Sequence, residues 1–227
     1  MGGVCKAPKD CNNLEELFDS WRDEYKKTKQ KGCFNEDYKG REEWFFPDGF
    51  LSNNNKCEIL FISRESHEEE APDNDDNTDF WMRRMVSGKY KEVIIDGKKV
   101  SDRGDKQIKY PRYLTAIYNK LNKDVEDDNY AEDKENQFKK LFNCGYMNLN
   151  KHGGGSSIGD HFKELVESDK EFIKKQIEIM SPAQIVLLGA NLYRDFSKIG
   201  IFGDYDIYEV NHPSVGSYNI IFRKIYR

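Results

Sequence analysis

The chain has 227 residues, 37% of them hydrophobic and 34% charged, with a formal net charge of −5 and an isoelectric point near 5.6. That length supports a self-sufficient core, while the acidic balance argues against a protein that coats nucleic acid by neutralising phosphates and leaves room for an enzyme with a local basic cleft. The apolar runs at 59–62 and 185–188 are too short to span a bilayer, the polar N-terminus does not read as a signal peptide, and five scattered cysteines argue against a disulfide scaffold and for a reducing cytoplasm.

Leu14, Leu17, Phe18, Trp21 and Tyr25 recur at helical spacing and predict an amphipathic helix over 14–31, capped by Asn12 or Asn13 and stopped at Gly32. Residues 33–56 read as a long connection, with Pro47-Asp48-Gly49 as a turn. Residues 58–63 follow as a near-continuous apolar strand of the kind buried on both faces. Seven acids in the twelve positions 68–79 predict a solvated loop. Phe80-Trp81-Met82 opens a helix, and 93–100 reads as a hairpin around Asp96-Gly97.

A helix over 112–121 comes next, then a charged segment at 123–139. A second strand at 146–149 feeds the glycine-rich stretch Lys151-His152-Gly153-Gly154-Gly155. One long helix is predicted over 160–180, ended by Ser181-Pro182, then a strand at 183–189, a helix from Asn191 and a strand at 205–210. Residues 218–225 fit strand or helix equally. Strands alternating with helices imply a parallel sheet covered on both faces, here a three-layer α/β/α arrangement around a mostly parallel four-stranded sheet. A single domain over 1–227 is expected, with the first helix and the charged segment as elaborations.

In such sheets ligands bind beyond the carboxyl ends of the strands. That rule selects three loops: Ser63-Arg64-Glu65-Ser66-His67, the stretch from Asn148 through Lys151 and the glycines, and Asn211-His212-Pro213-Ser214. In this order they resemble the uracil-DNA glycosylase superfamily, whose members carry a first motif after a buried strand, an Asn at the end of a second, and a His-Pro-Ser motif after the last. The resemblance covers roughly residues 57–217. It implies a glycosylase-like fold and a hydrolase that excises a flipped, deaminated or modified base such as uracil, without a cofactor or metal, with DNA or a nucleotide as partner and no membrane.

The resemblance assigns Glu65 as the carboxylate facing the sugar cation and His212 as the donor to the departing base. Asn148 reads the base edge, Phe80 or Trp81 stacks on the base, and Ser63, Arg64, His67, Lys151 and Ser214 make further substrate contacts. The sequence departs from the family at Ser63 and Ser66, where relatives carry Gly and Pro, and at Val215-Gly216, where an intercalating wedge is usual. Those departures and the acidic stretch keep two other readings open: a catalytically silent nucleotide- or nucleic-acid-binding module, and a hydrolase of a free nucleotide or nucleoside. Simpler roles also fit, with Glu65 as an ion-pair member, Asn148 as a loop brace and Phe80 as core. No Cys-x-x-Cys pair or ligand-spaced Cys/His set indicates an iron–sulfur or zinc site.

Overall fold

The apolar runs at 59–62 and 185–188 lack the alternation of a half-wet sheet, and they become adjacent central strands with both faces covered. A computed structural model describes residues 7–28, 45–65, 81–86, 94–95, 98–99, 102–122, 138–151, 161–212 and 222–225. Its strands are β1 (Gly49–Phe50), β2 (Ile59–Glu65), β3 (Ile94–Ile95), β4 (Lys98–Lys99), β5 (Cys144–Asn150), β6 (Gln184–Leu188), β7 (Asp206–Val210) and β8 (Phe222–Ile225). β3 and β4 form the expected small hairpin. The other six form one mixed sheet in the order β1-β5-β2-β6-β7-β8.

The four expected strands β5, β2, β6 and β7 are mutually parallel and make up the middle of that sheet. The expectation of a four-stranded sheet is corrected by two antiparallel edges. β1 grows out of the segment read as a turn, because Gly49 takes φ +145 and a Cβ there would lie 2.6 Å from Leu14 Cδ1. β8 resolves the ambiguous C-terminal segment as a strand. The acidic stretch 68–79 and residues 123–137 lie outside the described residues.

Among the described residues six α-helices accompany the sheet: α1 (Leu14–Thr28), α2 (Trp81–Val86), α3 (Asp102–Leu121), α4 (His161–Ser168), α5 (Lys170–Met180) and α6 (Leu192–Phe196). Strand alternation divides the core between the two sheet faces. Leu60, Ile62, Met147, Leu149, Ile185 and Leu187 pack with α1, α4, α5 and α6. Ile59, Phe61, Tyr146, Val186, Leu188 and Val210 pack with α2 and α3. The chain leaves β2 toward β5 on one side and later returns past it to β6 on the other. The order therefore reverses beside β2, and the crevice that favours ligands opens at its carboxyl end.

Asn13 is the N-cap of α1: its Oδ1 accepts the Glu16 N–H at 2.9 Å, while Glu16 Oε2 accepts the Asn12 N–H at 2.8 Å. The helix buries Leu17, Phe18 and Trp21, with Trp21 stacked on Phe172 at 5.1 Å. α3 begins ten residues before the expected start at 112 and runs through Pro111. The proline removes one backbone donor, and the surrounding turns carry the helix past it.

The helix predicted over 160–180 divides at Asp169, whose backbone sits at φ −93, ψ 3, outside the helical basin. Its buried carboxylate accepts a hydrogen bond from the Tyr25 hydroxyl, tying the α4–α5 junction to α1. Burial pushes the Asp169 carboxyl up to about 6, against the hydrogen bond from Tyr25. An aspartate in the unfolded chain titrates near 4. Between those values the folded chain holds a proton that the unfolded chain has released, so stability falls as pH rises through this window, by about 3 kcal/mol in full. Asp169→Asn keeps an acceptor for Tyr25 and is expected to remove this dependence, raising the urea midpoint at pH 7.5 relative to wild type. Parallel midpoint curves for the two proteins between pH 4.5 and 7.5 would contradict the assignment.

Candidate functional site

Ser63 ends the buried part of β2, and its register partner on β5 is Asn148. Both are buried, at 2% and 3% exposure. Along β2 the residues facing α3 are Ile59 and Phe61, along β5 Cys144 and Tyr146, and along β7 Tyr208 and Val210. Alternation carries the same face forward to Ser63 and Asn148, and beyond the end of β7 the His212 ring lies edge-on to Tyr110 of α3. These three predicted residues, from distant parts of the sequence, therefore share the α3 side at the carboxyl ends of three parallel strands.

α3 fills the space between them with tyrosines. The Tyr110 and Tyr146 hydroxyls are 3.3 Å apart. The Tyr146 hydroxyl donates to Asn148 Oδ1 at 3.4 Å. The Tyr110 ring meets Tyr146 and His212 edge-on, each at 6.1 Å between centroids. Tyr113 donates to the Asn211 carbonyl at 2.6 Å, fixing the backbone just before His212. Burial raises all three phenols, Tyr113 to about 12, so they stay protonated at neutral pH and act as donors. Half-buried Tyr110 and His212 connect this cluster to the surface.

A second network holds the same strand end from the opposite side. Lys151 is fully buried, and its Nζ lies 2.6 and 2.7 Å from the two Asp48 oxygens and 2.8 Å from the Asn148 carbonyl. Asp48 also accepts the Asn148 N–H at 2.6 Å and Gln176 Nε2 at 2.7 Å. The reason lies in the register. β1 pairs Gly49 with Tyr146, so continuing the pairing sets Pro47 opposite Asn148, and a proline has no N–H to offer. Side chains replace the missing edge: a carboxylate receives the Asn148 N–H and an ammonium serves its C=O. Burial pushes the Asp48 carboxyl up and the Lys151 ammonium down, and each partner's charge opposes the shift. Phe18 and Trp21 face the ammonium, with ring centroids 5.9 and 5.5 Å away.

This geometry corrects the reading of Lys151 as a substrate contact. Its side chain packs among α1 aromatics, on the face opposite Ser63 and Asn148, and its ammonium already binds three oxygens. Arg64 is exposed on that same opposite face, its guanidinium 5.2 Å over the Phe162 ring. Glu65 is the last residue of β2, its backbone in register with Asn150. Trp81 begins α2. His67, Phe80 and Ser214 lie outside the described residues.

Sequence reasoning passed over Asp48, Tyr110, Tyr113 and Tyr146. The tyrosines were legible in principle: 110 and 113 fall on one helical face, and Tyr146 alternates in phase with Asn148. Among the described residues no group of three or more His, Cys, Asp or Glu is placed to hold a metal ion, and no helix is long and apolar enough to cross a membrane. Comparison with protein-family models, with curated proteins and with solved structures returns no match.

Lys151→Met leaves the Asp48 carboxylate buried without its counter-ion and is expected to cost about 3–5 kcal/mol of unfolding free energy. Adding Asp48→Asn, which keeps an acceptor for Asn148 and removes the stranded charge, is expected to restore more than half of the loss. Equal destabilisation in the single and double variants, read from urea unfolding, would refute the pairing.

Proposed function

We propose that this chain is a glycosidase that excises a flipped, deaminated or otherwise modified base from DNA, built as a three-layer α/β/α domain of the uracil-DNA glycosylase-like kind. One observation carries the reading. Ser63, Asn148 and His212 lie on one face of the sheet, at the carboxyl ends of parallel strands beside the point where strand order reverses. Helices against both faces and a parallel four-strand centre are compatible with that fold.

In this reading the nucleotide swings out of its stack and the base enters beside Asn148, whose amide hydrogen-bonds its edge. Breaking the glycosidic bond leaves positive charge on the sugar and negative charge on the base. His212 donates to the base oxygen that gathers the negative charge. Glu65 faces the sugar and stabilises its charge or orients the water, which delivers hydroxide to C1′ and a proton to the base. Ser63, His67 and Ser214 contact the nucleotide, and Phe80 stacks on the base, while Arg64, on the opposite face of β2, takes no part. The protonated, neutral tyrosines around Asn148 suit an uncharged planar ligand, because they offer hydrogen bonds without competing ion pairs.

The test is base excision from labelled single- and double-stranded oligonucleotides carrying uracil, hypoxanthine or xanthine, read as alkali-labile strand breaks. Wild-type protein is expected to cut at one or more of these bases, and Glu65→Gln and His212→Ala are each expected to slow cutting by about 100-fold or more. Folded wild-type protein that binds the oligonucleotides and cuts none of them would overturn the glycosidase in favour of a binding module.

A further inference from the structure

We propose that the amino-terminal half of α3, anchored by Arg112, is a phosphate-binding surface that lays the backbone of a DNA strand beside the crevice of Ser63, Asn148 and His212. The inference rests on the nucleic-acid reading of that site and deepens it, because it names the part of an acidic chain that meets the polyanion.

The charge of the chain is unevenly placed. Residues 83–112 hold ten Lys or Arg against four Asp or Glu, a net +6 in a chain whose total is −5. A phosphate beside this segment meets an attractive field although the whole molecule is anionic, because at physiological salt exposed charges are largely screened beyond about 8 Å. Most of the segment falls within α2, the β3–β4 hairpin and the first half of α3. Met82 and Val86 of α2 pack with Tyr113, Leu114 and Ile117 of α3.

Two observations bring that charge to the site. The first is the direction of α3. Tyr118 near its carboxyl end bonds Glu58, just ahead of β2, while Tyr110 and Tyr113 meet His212 and the Asn211 carbonyl beyond the end of β7. The half of α3 beside the crevice is therefore the basic half, with Arg103, Lys106, Lys109 and Arg112 at three-residue intervals, whereas Lys120 is the one charged residue of 113–121. The second is Arg112 itself. It is half-exposed, makes no ion pair among the described residues, and its Nε has no acceptor there. At about 100° per residue it stands off the core-facing side of the helix, next to buried Tyr113 and turned away from buried Leu114. A guanidinium left without an internal carboxylate carries a fork of donors that fits the oxygens of a phosphate.

The helix thus divides its work. Its neutral tyrosines face the crevice, and its cations hold the backbone, which positions the strand without reading its sequence. Each phosphate neutralised releases counter-ions, so the logarithm of affinity falls with the logarithm of salt by about 0.9 per contact on a duplex and about 0.7 on a single strand. The experiment measures binding of unmodified and uracil-containing oligonucleotides, single-stranded and duplex, between about 50 and 200 mM salt. It compares wild type with the triple variant Lys106→Gln, Lys109→Gln, Arg112→Gln. The control is Lys170→Gln, Lys174→Gln, Lys175→Gln, the same change of charge among surface pairs of α5 on the other face of the sheet. The α3 variant is expected to lose about 2 to 3 from the salt slope and to bind at least about 10-fold more weakly at the low-salt end, alike on both kinds of oligonucleotide. The α5 variant is expected to keep the wild-type slope.

Equal losses in the two triple variants would show that net charge alone acts and would overturn the surface, as would an unchanged slope in the α3 variant or no binding by wild type at the low-salt end. Should the α3 triple variant not fold, Arg112→Gln alone is expected to lower the slope by about 1, and an unchanged slope there would overturn the inference equally. Excision by wild type with an unchanged slope in the α3 variant would remove this surface and leave the glycosidase standing. Binding through α3 with no excision of any base would remove the glycosidase and leave this surface standing.

Discussion

The buried pair between Asp48 and Lys151 stands where the sheet runs out of backbone partners. β1 is two residues long, and beyond it the register brings a proline opposite Asn148. An unmatched N–H and C=O in a dry interior would each carry a desolvation penalty of about 1–3 kcal/mol. Asp48 and Lys151 meet both needs at once and satisfy each other in doing so. Gln176 of α5 adds a further hydrogen bond, and the α1 aromatics enclose the ammonium. A residue before the edge strand, the end of β5 and two helices thus converge on one ion pair. A buried ion pair is a weak source of net stability compared with an apolar replacement. What this one supplies is a fixed place for Asn148.

That fixed place links the core to the candidate site. The two sides of β5 have different chemistry at the same height. On the α1 and α5 side lie opposite charges held in contact, and on the α3 side lie the hydroxyls of Ser63, Tyr110 and Tyr146 with the Asn148 amide. Keeping the charges behind the sheet leaves the α3 side with neutral donors and acceptors. Such groups discriminate between ligands by the pattern of hydrogen bonds rather than by charge. His212 joins them through its edge-on contact with Tyr110, and Tyr113 holds the backbone that delivers it.

Much of the fold was legible because it rests on local patterns. The apolar runs of β2 and β6, the amphipathic spacing of α1, the Asp96-Gly97 turn and the Ser181-Pro182 stop each carry their own signal. The edge strands did not, since two-residue β1 and the half-exposed β8 have no periodicity to read and exist only because a partner strand is present. The division of α4 from α5 was hidden for a similar reason: Asp169 looks like an ordinary polar helix position until Tyr25 of a distant helix meets it. At the site, strand ends and polar density picked out Ser63, Asn148 and His212. The same reasoning misassigned Lys151, because a lysine after a strand and before glycines looks solvent-facing. Its partner Asp48 lies 103 positions away, inside a tripeptide with every mark of a turn.

The most direct measurement of this account is hydrogen exchange at the Asn148 amide in the wild-type protein, followed by NMR. Its N–H has no backbone acceptor on the β1 side and depends on the Asp48 carboxylate. If the buried pair holds this strand end, the Asn148 amide exchanges as slowly as the amides of the central strands β2 and β6. Exchange at the rate of an exposed loop would show that the strand end is not held, and would remove the basis for placing Asn148 in a preformed site.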